Sequence, residues 1–127
     1  MGVIERKVDC AREFAEILAQ RLRGRLHKVV LFGSVAKGSA GVDSDVDLLV
    51  VVDRVTDDVR GVVAEAAFEA SVRSREPVEY IVMGLEEYRA RGLGNPLIYE
   101  VESYGKVLYS DPKPEEETVE SARRPPP

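Results

Sequence analysis

An α+β domain, with a small β-sheet covered by helices, is what the order of patterns in this sequence predicts. Three observations carry it. Stretches with helical periodicity alternate with short aliphatic runs of strand length. Gly24, Thr56 and Pro77 punctuate the junctions between them. The chain has 127 residues, 44% hydrophobic and 32% charged, which is enough for one core and too few for a two-domain enzyme.

The elements follow in order. Ile4, Val8, Ala11, Phe14, Ala15, Leu18 and Leu22 recur every three or four residues and make one apolar stripe of a helix, which Gly24 ends. His27 to Phe32 reads as a buried strand running into Gly33-Ser34, and Val46 to Val52 as a second strand. Thr56-Asp57-Asp58 opens the next helix, because a hydroxyl cap and an acidic first turn suit the positive end of the helix dipole. Val59, Val62, Val63, Ala66, Ala67 and Ala70 line one of its faces. This helix and the first are expected to pack on the sheet. Pro77 starts a third strand, Val78 to Met83. A short helix over Leu85 to Ala90, a helical stretch from Pro96 to Tyr104 and a last strand, Lys106 to Tyr109, complete residues 1–110.

From Asp111 the composition changes. Five of the seven prolines lie there, with three successive glutamates and no aromatic residue, so residues 111–127 are expected to be disordered. The Glu115-Glu116-Glu117 run belongs to that solvated tail rather than to a metal site.

Composition also excludes whole classes. One cysteine, Cys10, rules out a disulfide scaffold, and with no histidine in local sequence it reads as a half-buried helix residue. The longest aliphatic run, Leu48 to Val52, is far too short to span a bilayer. The N-terminus lacks the basic-then-apolar layout of a signal peptide, so a cytoplasmic location is expected. A net charge of −5 argues against a generic nucleic-acid surface.

The chemistry concentrates between Leu31 and Val51. Side chains on a strand alternate faces, so Asp45, Asp47, Leu49 and Val51 share one side, and Val46, Leu48, Val50 and Val52 the other. Adjacent carboxylates on one face repel one another, an arrangement that suits a cation held between them. Oxygen ligands without His or Cys point to Mg²⁺ or Mn²⁺. Upstream, a strand ending in Gly33-Ser34 before a short turn exposes backbone N–H groups at a helix start that suit a phosphate, with the Ser34 hydroxyl as a further donor and Lys37 as a nearby charge. A phosphate cradle beside a carboxylate pair describes a metal–triphosphate site. Two other motifs fail. Gly33 and Gly38 have Walker A spacing, but Ser39-Ala40 stands where Lys-Ser/Thr belongs. Asp43, Asp45 and Asp47 begin like a calcium loop, but Leu48 and Arg54 occupy its Gly and Glu positions.

Gly33-Ser34, ten intervening residues and Asp45-x-Asp47 resemble the signature of the DNA polymerase beta-like nucleotidyltransferases. The short chain and the Asp-Ser-Asp-x-Asp-Leu-Leu-Val wording are similar to the minimal nucleotidyltransferases, antitoxin partners of HEPN-domain toxins. The closing Gly105-Lys106-Val107-Leu108-Tyr109 is similar to that family's last segment. The resemblance covers residues 1–110. It implies the polymerase beta-like nucleotidyltransferase fold, ATP as donor, and one or two Mg²⁺ ions held by Asp45 and Asp47. It places Gly33 and Ser34 on the β and γ phosphates, with Lys37 and Ser44 completing the nucleotide-binding set; Ser44 also reads as a turn support. The family needs a third carboxylate on a later strand, and Glu79 supplies one, as metal ligand and as the base for the acceptor hydroxyl. Two residues depart from the family pattern. Val35 stands where Arg commonly follows Gly-Ser, and Glu79 where Asp is more usual.

The implied function is Mg-dependent transfer of AMP from ATP to a tyrosine of a HEPN toxin, which silences the toxin. Two alternatives differ in class: an antitoxin that blocks its partner sterically without catalysis, and nucleotidyl transfer to a small molecule. Enzymes of the latter kind usually carry an added helical domain to hold the acceptor. His27 has no constellation around it. Tyr80, Tyr88, Tyr99, Tyr104 and Tyr109 are expected mostly to pack sheet edges and the C-terminal helix.

Overall fold

The seven residues of β2 (Val46–Val52) set the layers, because their side chains alternate between two faces and both faces become covered. In the computed structural model, which describes residues 2–111, the order is α1 (Val3–Arg21), β1 (Leu26–Phe32), α2 (Gly33–Lys37), β2, α3 (Asp57–Ser74), β3 (Val78–Gly84), α4 (Leu85–Arg91), α5 (Pro96–Tyr104) and β4 (Lys106–Ser110). The tail from Pro112 onward lies outside the described residues. Asp111 is described: it is buried and donates its N–H to the His27 carbonyl at 2.8 Å, extending the pairing of β4 beside β1.

The strands form one mixed sheet in the order β3-β2-β1-β4. β1 runs antiparallel to β2 and to β4, while β2 and β3 are parallel and in register from Val46↔Val78 to Val52↔Gly84. The parallel pair requires a crossover, and α3 provides it. Thr56 caps α3 as its sequence demands, its hydroxyl accepting from the Val59 N–H at 3.1 Å. At the other end Arg75 adopts a left-handed conformation, φ 59°, and turns the chain toward β3.

The larger core lies between one face of the sheet and the pair α1 and α3. Phe14 and Leu18 from α1, with Leu22 just past its end, meet Val63, Ala66 and Ala70 from α3 over Leu48 and Val50. The small residues of α3 let the two helices approach closely while both remain on the sheet. The opposite face carries a smaller core: Val30, Leu49, Val51 and Met83 from the strands, with Tyr88 of α4 and Ile98 and Val101 of α5. α5 lies so close to β1 at its end that a Cβ on Gly105 would overlap Val101 and Val30.

Differences from the sequence expectation are local. The helix expected after Gly33-Ser34 is the short α2, Gly33–Lys37, which begins at Gly33 itself with no turn between it and the strand. Cys10 is fully buried rather than half-buried, and burial pushes its thiol pKa up, as befits an inert core residue. The tyrosines divide: Tyr88 is buried and Tyr80 stacks on Phe14 at 6.3 Å, whereas Tyr99 and Tyr104 are exposed. No helix of the described residues is long and apolar enough to cross a membrane.

Candidate active site

The acidic residues converge at the end of the sheet where β2 and β3 begin. Asp47 pairs in register with Glu79 across the parallel strands, so both project on the same face. Asp45, two residues earlier, joins them. One carboxylate oxygen from each of Asp45, Asp47 and Glu79 lies within 4.8 Å of the others, close enough to ligate one cation. Asp45 and Glu79 are exposed and Asp47 is half-buried. Glu79 is at once an edge-strand residue facing solvent and a member of this cluster, because β3 is the edge of the sheet.

Electrostatics single out Asp47. Burial first, then the charges of Glu79, Asp45 and Glu100, push its pKa up to about 6 from 3.8. A carboxylate held against this much negative potential is stabilised by a bound divalent cation. Hard oxygen donors, no nitrogen or sulfur, and uncompensated negative charge fit Mg²⁺ or Mn²⁺.

Gly33 stands directly against this cluster. It follows β1, whose last residue Phe32 pairs with Asp47, and it has φ +75°. A Cβ at this position would overlap the Asp47 carboxylate. Glycine is therefore required twice, by backbone conformation and by space. The Ser34 carbonyl accepts from the Ser39 N–H at 2.9 Å, closing α2, while the Ser34 hydroxyl has no partner among the described residues. Val35 is buried in the larger core and contributes no charge to the site.

Two residues expected at the nucleotide are already engaged. The Lys37 ammonium donates to Glu100 Oε1 at 2.8 Å and sits 5.2 Å from the centre of the Tyr104 ring. The hydrogen bond to Glu100 raises the Lys37 pKa. Since Glu100 also acts on Asp47, Lys37 stands one residue removed from the acidic cluster. Ser44 Oγ accepts from the Gly41 N–H at 3.0 Å, so it supports the turn before β2, as its residue type suggests.

A family profile described as the nucleotidyltransferase domain matches residues 11–107, from the middle of α1 into β4. The chain belongs to this family. The resemblance carried by Gly33-Ser34 and Asp45-x-Asp47 is thereby borne out, and the chain is a nucleotidyltransferase. Two proteins of Methanocaldococcus jannaschii, both assigned as protein adenylyltransferases, are similar in sequence. One is 45% identical over 42 residues, 33% of this chain and 42% of the relative; the other is 28% identical over 98 residues, 77% and 94% respectively. The chain thus spans under half of the first relative and nearly all of the second. Among solved structures, a toxin–antitoxin with AMP-PNP superposes with a TM-score of 0.57 at 20% identity, covering 88% of this chain and 86% of that one. A complex of an MNT antitoxin with a tri-AMPylated Shewanella oneidensis HEPN toxin gives 0.51 at 19% identity, over 92% and 87%. These structures share the polymerase beta-like nucleotidyltransferase fold with this chain.

Sequence reasoning missed Glu100 and Lys7. Glu100, on α5, pairs with Lys37 and is the last of the charges that raise the Asp47 pKa. Lys7, on α1, is completely buried beneath the loop that precedes Asp45. An isolated lysine inside an apolar stripe was the available signal.

Proposed function

We propose that this protein transfers AMP from ATP to a tyrosine hydroxyl of a HEPN-domain toxin, using Mg²⁺ held by Asp45, Asp47 and Glu79. The observation that carries the reading is the convergence of these three carboxylates against a glycine whose missing side chain leaves room for Asp47. The names of the similar proteins, adenylyltransferases and a toxin–antitoxin with an AMPylated toxin, support the donor and the partner.

Gly33 and Ser34 bind the β and γ phosphates, the glycine by close backbone approach and the serine by its hydroxyl. Glu79 takes the proton of the acceptor hydroxyl as its oxygen attacks the α-phosphorus, and pyrophosphate leaves along the Gly33–Ser34 side. Bound Mg²⁺ would supply charge neutralisation of the triphosphate and of the attacking and leaving oxygens. Asp45 and Glu79 are exposed, and β3 is an edge strand with no strand beyond it in the described residues. A site this open suits a macromolecular acceptor that brings its own wall. The cytoplasm, where ATP and such a partner meet, is the compartment we assign.

Val35 in place of the usual Arg, together with the Lys37–Glu100 pair, favours one second reading: a steric antitoxin without transfer. The deciding experiment is transfer from α-labelled ATP in Mg²⁺ to the co-purifying partner, with Asp45→Ala/Asp47→Ala alongside. Label on the partner that disappears in the double variant establishes the transferase. A tight complex that takes no label from ATP, GTP, CTP or UTP establishes the steric reading instead.

A further inference from the structure

Beneath the acidic cluster, one buried cation joins the segments that deliver its outer members. Lys7 has no exposed surface, and its Nζ donates to Ser44 O at 2.6 Å, to Val42 O at 3.2 Å and to Glu76 Oε1 at 2.6 Å. Ser44 immediately precedes Asp45, and Glu76 lies three residues before Glu79. The same two segments meet directly, the Val46 N–H donating to Pro77 O at 2.8 Å. Glu76 is itself fixed by the last turn of α3: Ser71 Oγ donates to its carbonyl at 2.7 Å, and its N–H donates to Ser74 Oγ at 3.2 Å.

A buried ion pair is a poor source of net stability, because desolvation of both charges offsets their attraction, and an apolar pair of similar volume packs as well. What an apolar pair cannot do is hold two loop carbonyls. From this geometry we infer that Lys7, with Glu76 as its counter-charge, is a positioning residue for the metal–nucleotide site, setting the distance between Asp45 on one segment and Glu79 on the other. This rests on the proposed role of the three carboxylates. Lys7 touches neither substrate nor metal; it acts through the backbone of Val42 and Ser44.

The test measures Mn²⁺ affinity directly, by electron paramagnetic resonance, in the full chain and in four variants. Lys7→Met and Lys7→Met/Glu76→Met remove the tie, the second without leaving a buried charge unpaired. Leu22→Ala is a destabilised control in the larger core, remote in sequence from the tie. Asp45→Asn/Asp47→Asn reports the cluster itself. Outer-shell groups that orient metal ligands typically change affinity about 10- to 100-fold, so a weakening in that range is expected in both Lys7 variants and none in folded Leu22→Ala. In metal-free protein, amide exchange at Ser44 to Val46 accelerates in the Lys7 variants only. Wild-type affinity in the double Lys7/Glu76 variant, or equal weakening in Leu22→Ala, overturns the inference while leaving the proposed function standing. Absence of Mn²⁺ binding to the wild-type chain, or binding that survives Asp45→Asn/Asp47→Asn, overturns both.

Discussion

The two faces of the sheet are built from the same strands and do opposite work. On one face Leu48 and Val50 are sealed under α1 and α3, and nothing polar from β2 interrupts the packing. On the other, Leu49 and Val51 join a much smaller core under α4 and α5, and at the strand's start Asp47 is half-buried and Asp45, just before it, is exposed. The large core can therefore bear the cost of crowding carboxylates on the opposite side. A two-residue period in one strand separates foundation from chemistry by no more than the pleat.

Substitutions on each face sharpen that contrast. The largest effect is expected from Asp45→Ala/Asp47→Ala: nucleotidyl transfer falls by at least about 10³-fold, measured with labelled ATP, while the melting temperature holds or rises because repulsion is relieved. Leu48→Ala does the reverse. It costs about 2–5 kcal/mol in chemical denaturation, yet the molecules that remain folded bind metal as the wild type does. Gly33→Ala breaks the separation, since its Cβ would overlap Asp47 and its φ of +75° disfavours any side chain. It is expected to cost about 1–3 kcal/mol and to weaken Mn²⁺ binding as well.

A smaller effect is set by pH. The pKa of Asp47 in the fold, about 6, lies above its ordinary 3.8. Protonation therefore favours the metal-free fold: this contribution is fully present below 3.8 and is lost as pH rises through about 6. With Asp47 partly in solvent the effect is on the order of 1 kcal/mol, and Asp47→Asn removes it from the pH profile of denaturation. Metal binding runs the other way, weakening as pH falls below about 6 because protons compete for the same oxygens. The smallest effect is expected from Lys37→Met. Losing the exposed contact to Glu100 leaves the melting temperature unchanged, and a few-fold rise in the KM for ATP would show that Lys37 leaves Glu100 for the nucleotide.

The sequence was informative wherever a property is local. The Thr56 cap, the span of β2 and the pairing of Asp45 with Asp47 all follow from neighbouring residues and a strand's period. Glu79 was reachable because the resemblance calls for a third carboxylate on a later strand and Val78 to Met83 holds one acid. Lys7 and Glu100 were not reachable in this way. Their partners, Glu76 and Lys37, are distant in sequence, and only the stacking of helices on the sheet brings them together. The order β3-β2-β1-β4 was also silent in the sequence, because nothing in Lys106–Ser110 specifies which edge of the sheet it joins.

The parallel register of β2 and β3 has a consequence for assembly of the chain. β1 and β2 are neighbours in sequence and pair antiparallel, so Asp45 and Asp47 take their places early and by short-range closure. Glu79 arrives only after the whole α3 crossover has wrapped and β3 has zipped onto the outer side of β2. The three-acid cluster is thus complete only once β3 is in place, and a truncated or half-synthesised chain lacking β3 presents two acids without the third. On the proposed function, an incompletely made molecule is in this way expected to lack its full metal site until its topology is finished.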